Sequence, residues 1–354
     1  MNIKVSLSDA VDLLKQLISI PSISGEEKQL ADFLEITFKE KNFSPYRKGN
    51  NLWILSPEWN NQKPTILLNS HIDTVKPVSS WTKNPFLPFE EDGKLFGLGS
   101  NDAGASLVSL FQVFSILTQQ QQENNFIFLA SCEEEVSGKN GVESVLNELP
   151  SIDFGIVGEP TSMQPAIAEK GLMVIDGTVY GKAGHAAREE GENAIYKAIP
   201  VIEWFQNKSF PVISPLLGAV KMTVTGVQAG IQHNIIPDEC RFMVDIRTNE
   251  FYTNKELFEI ISNECEVEVR ARSFRLNSSK ISEEHPFVKR AIESGMIPFG
   301  SQTLSDQTFM HFPTVKIGPG ESSRSHTADE YILIKEIEDA ITLYLSLLNN
   351  LKIR

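Results

Sequence analysis

Long apolar runs are missing from this 354-residue chain. No stretch approaches the roughly 18 residues of a membrane-spanning helix, and the opening MNIKVSLSDAVDLLKQL has no extended apolar core of the kind that directs export. No membrane partner is therefore expected, and the cytoplasm is the expected compartment. Cysteine is scarce. Cys132, Cys240 and Cys265 are odd in number and widely spaced, which excludes a disulfide framework and a paired-thiolate metal knuckle. Positive charge is also short: 32 Lys and Arg against 46 Asp and Glu leave a formal charge of −14. That deficit argues against nucleic acid, whose phosphates require clustered cations, and is compatible with carboxylates compensated by bound cations. No internal repeat is present, and the polar tract TQQQQENN reads as a helix end and loop. What is there, 41% hydrophobic and 22% charged residues, is ordinary globular composition, long enough for two domains.

Periodicity predicts an α/β fold. Val11, Leu14, Leu17 and Ile18 form a helical stripe. SGEEKQLADFLEITFKE follows as a second helix, with Ser24 and Glu27 spaced as a capping box. NLWIL, TILLN, NFIFLAS, DFGIVG and TVKIG are short, almost continuously apolar strands, separated in part by the helix-length AGASLVSLFQVFSILTQQ. Strands alternating with helices predict a central, mostly parallel sheet flanked by helices. Over 171–276 the texture changes to partly alternating strands (GLMVIDGTVYG, CRFMVDIR) with helical runs, as in an inserted α+β domain. The expected organisation is thus 1–170 and 277–354 as one domain interrupted by 171–276, with a hinge between the two.

Chemistry collects where the apolar strands stop. TILLNS runs into His71 and Asp73, FIFLAS into Glu133-Glu134-Glu135, FGIVG into Glu159, and TVKIG into a loop carrying His326. Asp102 lies in GLGSNDAG just before the long helix. Open α/β sheets bind ligands beyond the carboxyl ends of their strands. Each residue alone has a plain reading: a loop histidine, a solvated acidic run, or an aspartate capping a helix. Five such coincidences along one rim need only one explanation, a metal centre. Imidazole and carboxylate without thiolate suit zinc, cobalt or manganese. Asp73, two residues past His71, is placed to fix the imidazole tautomer.

In order, His-x-Asp, the glycine-bearing loop with Asp, the Glu-Glu pair, GEPT and GPG…SH…DEY resemble the co-catalytic zinc aminoacylase and peptidase family. That family includes acetylornithine deacetylase, succinyl-diaminopimelate desuccinylase and glutamate carboxypeptidase. The resemblance covers essentially the whole chain and implies the zinc-peptidase type of α/β fold with an inserted lid and dimerisation domain. It implies two divalent ions: His71 and Glu159 on one, Glu135 and His326 on the other, and Asp102 bridging. Glu134 is implied as general base. In extended backbone Glu133 and Glu135 would project opposite Glu134, so a one-residue slip would exchange base and ligand. His185, in GKAGHAA, matches a histidine that enters the partner subunit's site in relatives; read without the resemblance, it is a loop residue. Asn234 and Arg247 match positions that bind the substrate's polar end, and Arg324 is a candidate for substrate selection. His285 and His311 match no motif. One departure stands out: Asp102-Ala103-Gly104-Ala105 lacks the lysine of the common Asp-x-Lys-Gly.

The resemblance, closest to the acetylornithine deacetylase branch, implies hydrolysis of an N-acyl amino acid, with N-acetyl- or N-succinyl-ornithine or -citrulline in arginine biosynthesis favoured. Succinyl-diaminopimelate or small peptides are the alternative substrates, and a metal-binding homologue without catalysis is the alternative of another class. A homodimer through the inserted domain is the expected assembly.

Overall fold

The computed structural model describes residues 3–188 and 190–353. Contacts divide it into two units, one of residues 1–167, 280–299 and 305–354, the other of 168–279 and 300–304. The first unit is built on a sheet whose inner strands run in the order Asn51–Leu55, Asn125–Ser131, Thr65–His71, Phe154–Val157 and Thr314–Lys316. The last four of these are mutually parallel, and antiparallel pairings lie to either side. Every residue of Thr65–His71 and Asn125–Ser131 is buried. Their unbroken apolar character follows from helices covering both faces. The helix Ala105–Leu117 is apolar nearly all round and buried along its length, as a helix enclosed on all sides must be. Phe38, from the Lys28–Glu40 helix, meets Phe111 and Phe128 with ring centroids 5.0 and 5.8 Å away. This fuses helix and sheet into one core.

The second helix departs from expectation at its start. It begins at Lys28, and neither Ser24 nor Glu27 makes a side-chain cap. The Ser24 hydroxyl donates instead to Asp73, and the buried Glu27 carboxylate accepts from the Gly25 and Glu133 amides and from Asn50 Nδ2. Tertiary partners outcompete the local cap because they satisfy donors that would otherwise be buried without acceptors.

The second unit carries a four-stranded antiparallel sheet in the order Lys221–Ala229, Glu239–Thr248, Gly171–Tyr180 and Val269–Ala271. Burial alternates along Gly171–Tyr180. Its inner residues Met173, Ile175 and Val179 join Phe242, Val244 and Ile246 in a core with Phe205, Leu257 and Ile261 from the helices Ala194–Asn207 and Asn254–Glu264. Among the described residues no helix is long and apolar enough to cross a membrane.

Candidate metal centre

Four parallel strands end on one rim, and their ends deliver the chemistry. His71 is the last residue of its strand and only 2% exposed. Its Nε2 lies 3.2 Å from Asp102 Oδ1 and 3.8 Å from Glu159 Oε1. On the far side of Asp102, Oδ2 stands 3.6 Å from His326 Nε2, which is 2.9 Å from Glu135 Oε2. The two oxygens of Asp102 therefore face one imidazole each. His71, Glu134 and Glu159 form one group able to hold a cation, and His71, Asp102 and Glu135 another.

Asp73 organises this rim, though not in the way its spacing suggests. His71 Nδ1 is closest to the Asp73 backbone carbonyl, at 2.9 Å, with the carboxylate at 3.5 Å. The carboxylate accepts instead from Ser24 Oγ at 2.7 Å and from the backbone N–H groups of Glu134 and Glu135 at 3.0 and 3.1 Å. One aspartate thus fixes the histidine's tautomer through its carbonyl and the next strand's exit turn through its side chain.

The acidic triplet is not extended, so the alternating projection expected of it does not arise. Glu133 takes a left-handed conformation (φ 56°) and Glu134–Val136 form a single 3₁₀ turn. Glu133 is drawn away from the cluster by Asn140, whose N–H and Nδ2 donate to its carboxylate at 3.2 and 2.9 Å. Glu134 and Glu135 point their carboxylates into it.

The electrostatics show why this cluster suits cations. Desolvation, aided by neighbouring carboxylates, pushes Glu159 up to about 8 and Glu134 well above the usual carboxylate range. Burial disfavours the His71 imidazolium, but Asp102, Asp73 and Glu159 outweigh it and raise the histidine well above its ordinary value. The hydrogen bond to Glu135 raises His326 to about 9. Without cations, the acids and imidazoles hold protons that ligands must shed. Glu159 Oε1 is moreover buried without a hydrogen-bond donor, a costly state that a bound cation relieves. The donor set fits two hard or borderline divalent ions.

Two further residues at this rim, Glu330 and Asp306, are not singled out by the sequence reasoning. Glu330 is buried and raised to about 8 by desolvation; it accepts from the backbone N–H groups of Gly99, Asn101 and Asp102. Asp306, pushed up to about 6 by burial, accepts from Ser131 Oγ and Asn69 Nδ2 beneath the strand ends. Glu330 stands in the Asp-Glu-Tyr run, which could have been a signal; LSDQTF gives none.

Arg324 is held by Glu336 at 2.7 Å and Glu321 at 3.0 Å and lies over the Tyr331 ring. Its guanidinium is thus committed to its own loop and the C-terminal helix. In the second unit Arg247 makes a two-pronged pair with Asp245, two residues back on the same strand face. Asn234 Oδ1 is buried without a donor. His185 is exposed, and its Nδ1 accepts from the Ala187 N–H.

Residues 67–350 match the profile of peptidase family M20/M25/M40. A succinyl-diaminopimelate desuccinylase of Corynebacterium glutamicum is 27% identical over 368 residues, covering 95% of each chain. An acetylornithine deacetylase of Proteus mirabilis is 27% identical over 387 residues, covering 99% of this chain and 98% of that one. Among solved structures, a tripeptidase from Staphylococcus aureus superposes with a TM-score of 0.78 at 21% identity, covering 97% of both chains.

Proposed function

The chain belongs to peptidase family M20/M25/M40, and from that premise we propose that it is a two-metal amidohydrolase that removes the acyl group from an N-acyl amino acid. The observation that carries this is Asp102, whose two oxygens stand 3.2 and 3.6 Å from the imidazoles of His71 and His326. His71 and Glu159 would hold one ion, His326 and Glu135 the other, with Asp102 shared; zinc is favoured, with cobalt or manganese also suited to these donors. When bound, the ions supply a water of lowered pKa and polarise the amide carbonyl.

The chain's own groups do the proton work. Glu134 takes the water's proton and returns it to the departing amine, a task suited to a carboxyl that burial raises above its usual range. Asp73 keeps it in place through the Glu134 N–H. His185 accepts at Nδ1, which leaves its proton on Nε2 for the oxyanion of the tetrahedral intermediate. We place this histidine in the partner's site. Exposed Ile195, Tyr196 and Ile199 on one helix and Val227 on the edge strand support a homodimer through the second unit. Asn234 and Arg247 are proposed to receive the substrate's polar end, Arg247 exchanging Asp245 for a carboxylate.

An ornithine or citrulline derivative, N-acetylated or N-succinylated and serving arginine biosynthesis, is the favoured substrate. Identity to the named deacetylase and desuccinylase is the same, so succinyl-diaminopimelate and small peptides belong beside it in the test. Purified protein loaded with zinc or cobalt should release free amine fastest from an acylated ornithine or citrulline. Faster turnover of succinyl-diaminopimelate or of peptides would replace that substrate. Two bound ions without hydrolysis of any of them would replace the enzyme reading by a metal-binding homologue.

A further inference from the structure

His326 meets Asp102 from a loop about 220 residues further along the chain, and its ring is held at one atom, Nε2, 2.9 Å from Glu135 Oε2. The side chain is 54% exposed and the residue sits in the left-handed region at φ 59°. With one ring contact and half the side chain exposed, its position also depends on the backbone that carries it.

That backbone is gripped by Asn101, which is completely buried. Asn101 Nδ2 donates to the Glu321 carbonyl at 3.1 Å and to Ser325 Oγ at 3.3 Å, and Oδ1 accepts from the Glu321 N–H at 3.1 Å. One side-chain amide thus offers a donor and an acceptor to both main-chain groups of one residue, as a strand neighbour does. The close approach requires Gly320, since a Cβ there would stand 2.2 Å from Asn101 Oδ1. The other end of Asn101 is equally fixed. Its N–H and that of Asp102 both donate to Glu330 Oε1, at 2.8 and 3.0 Å. The residue preceding the shared carboxylate therefore holds the loop that ends in His326.

A plain structural role, stapling two loops for stability, accounts for the hydrogen bonds but not for their placement. Asn101 joins the segments that supply Asp102 and His326. His71 and the Glu134–Glu135 turn are tied together separately, through Asp73. We propose that Asn101 is a positioning residue for the second cation, setting His326 at the distance from Asp102 and Glu135 that one ion can bridge. This rests on the two-cation reading above. Metal–ligand distances tolerate only about ±0.2 Å, so a slack loop weakens that ion and spares the other.

Titration of the metal-free, full-length protein with Co(II), followed by calorimetry and by visible absorption of the bound ion, tests this. The wild type should take up two ions. Asn101→Ala should keep one at wild-type affinity and bind the other ~10–100-fold more weakly, the usual cost of losing an outer partner. His326→Ala should lose the same ion, and the double variant should be no worse than His326→Ala alone, because both act on one ligand. Gly320→Ala leaves Asn101 in place but drives a methyl against it; it should give the same one-ion deficit, and it carries the test if Asn101→Ala does not fold. Two unchanged affinities with a lowered melting temperature, or equal weakening of both ions, would overturn the proposal. A wild-type protein that binds fewer than two ions would instead overturn the two-cation reading.

Discussion

Replacing Asp73 by asparagine keeps the side chain's shape, removes its charge and turns one acceptor oxygen into a donor. The residue is 1% exposed and receives three hydrogen bonds: Glu134 N–H on Oδ1, and Ser24 Oγ and Glu135 N–H on Oδ2. A hydroxyl can rotate to accept from the new amide, but the Glu135 N–H cannot. Leaving that buried donor unpaired costs about 1–3 kcal/mol, and the remaining bonds fall from charged to neutral strength, roughly 1 kcal/mol more each. The competing effect is relief of repulsion among the clustered carboxylates. It is small here, because burial and neighbouring carboxylates raise Glu134 and Glu159 above the usual carboxylate range, and the nearby His71 is raised above its ordinary value. The expected net loss is about 3–5 kcal/mol, less than the roughly 5–15 kcal/mol of ordinary stability. Urea unfolding of the metal-free protein measures it. Amide exchange at Glu134 and Glu135 reads the same loss locally, since a chain of two units need not unfold in one step. Burial works to raise the Asp73 carboxyl, but His71, Ser24 and the Glu134 amide bring it below the usual value. Its contribution is therefore full above the unfolded value of about 3.9 and fades as pH falls through the lower folded one. Equal stability of the two proteins at neutral pH, or a gap that widens in acid, would refute the reasoning.

Other expectations follow from the same rim and from the proposed dimer. Glu159 and Glu330 are raised to about 8 and Asp306 to about 6. The native metal-free protein thus keeps protons that the unfolded chain has released, and it should melt lower at about pH 8.5 than at about pH 6. Adding zinc should expel the proton of Glu159, a proposed ligand, a release that calorimetry in two buffers of different ionisation enthalpy detects; a melting point independent of pH would contradict the assignment. Glu134→Ala should cut turnover by ~10²–10⁴-fold with both ions still bound, and near-normal turnover would remove Glu134 as the base. Tyr196→Asp puts a charge on a helix face where the tyrosine is 72% exposed. It should convert a dimer to monomers in sedimentation and abolish activity, whereas an active monomer would end the case for His185 acting across subunits. Mixing Glu134→Ala with His185→Ala subunits should restore activity once the subunits exchange.

Much of the rim is readable because parallel strands covered on both faces are continuous in apolar character, and such a strand ends visibly. TILLNS stops at His71 and NFIFLAS just before the acidic triplet for that reason. The supporting shell is not readable. Ser24 and Glu27 have the spacing of a capping box, yet their side chains serve Asp73 and the Glu133 amide, because buried acceptors and donors from distant segments compete for them. Glu133 resembles its two neighbours in type, and only the left-handed turn at its position separates it from them. Arg324 beside a histidine reads as a free cation until Glu336 of the C-terminal helix is seen to hold it.

The chain alone therefore determined the succession of its strands and helices and the residue types that gather at the strand ends, since hydrophobic period and strand termination are local properties. Only the tertiary structure decided how those groups face one another: that Asp102 divides its oxygens between two histidines, that Asp73 holds a turn some 60 residues away, and that Asn101 grips the loop before His326. Hydrogen bonds between residues so far apart leave no periodic trace, because each depends on where folding brings a donor and not on what stands beside it in the chain.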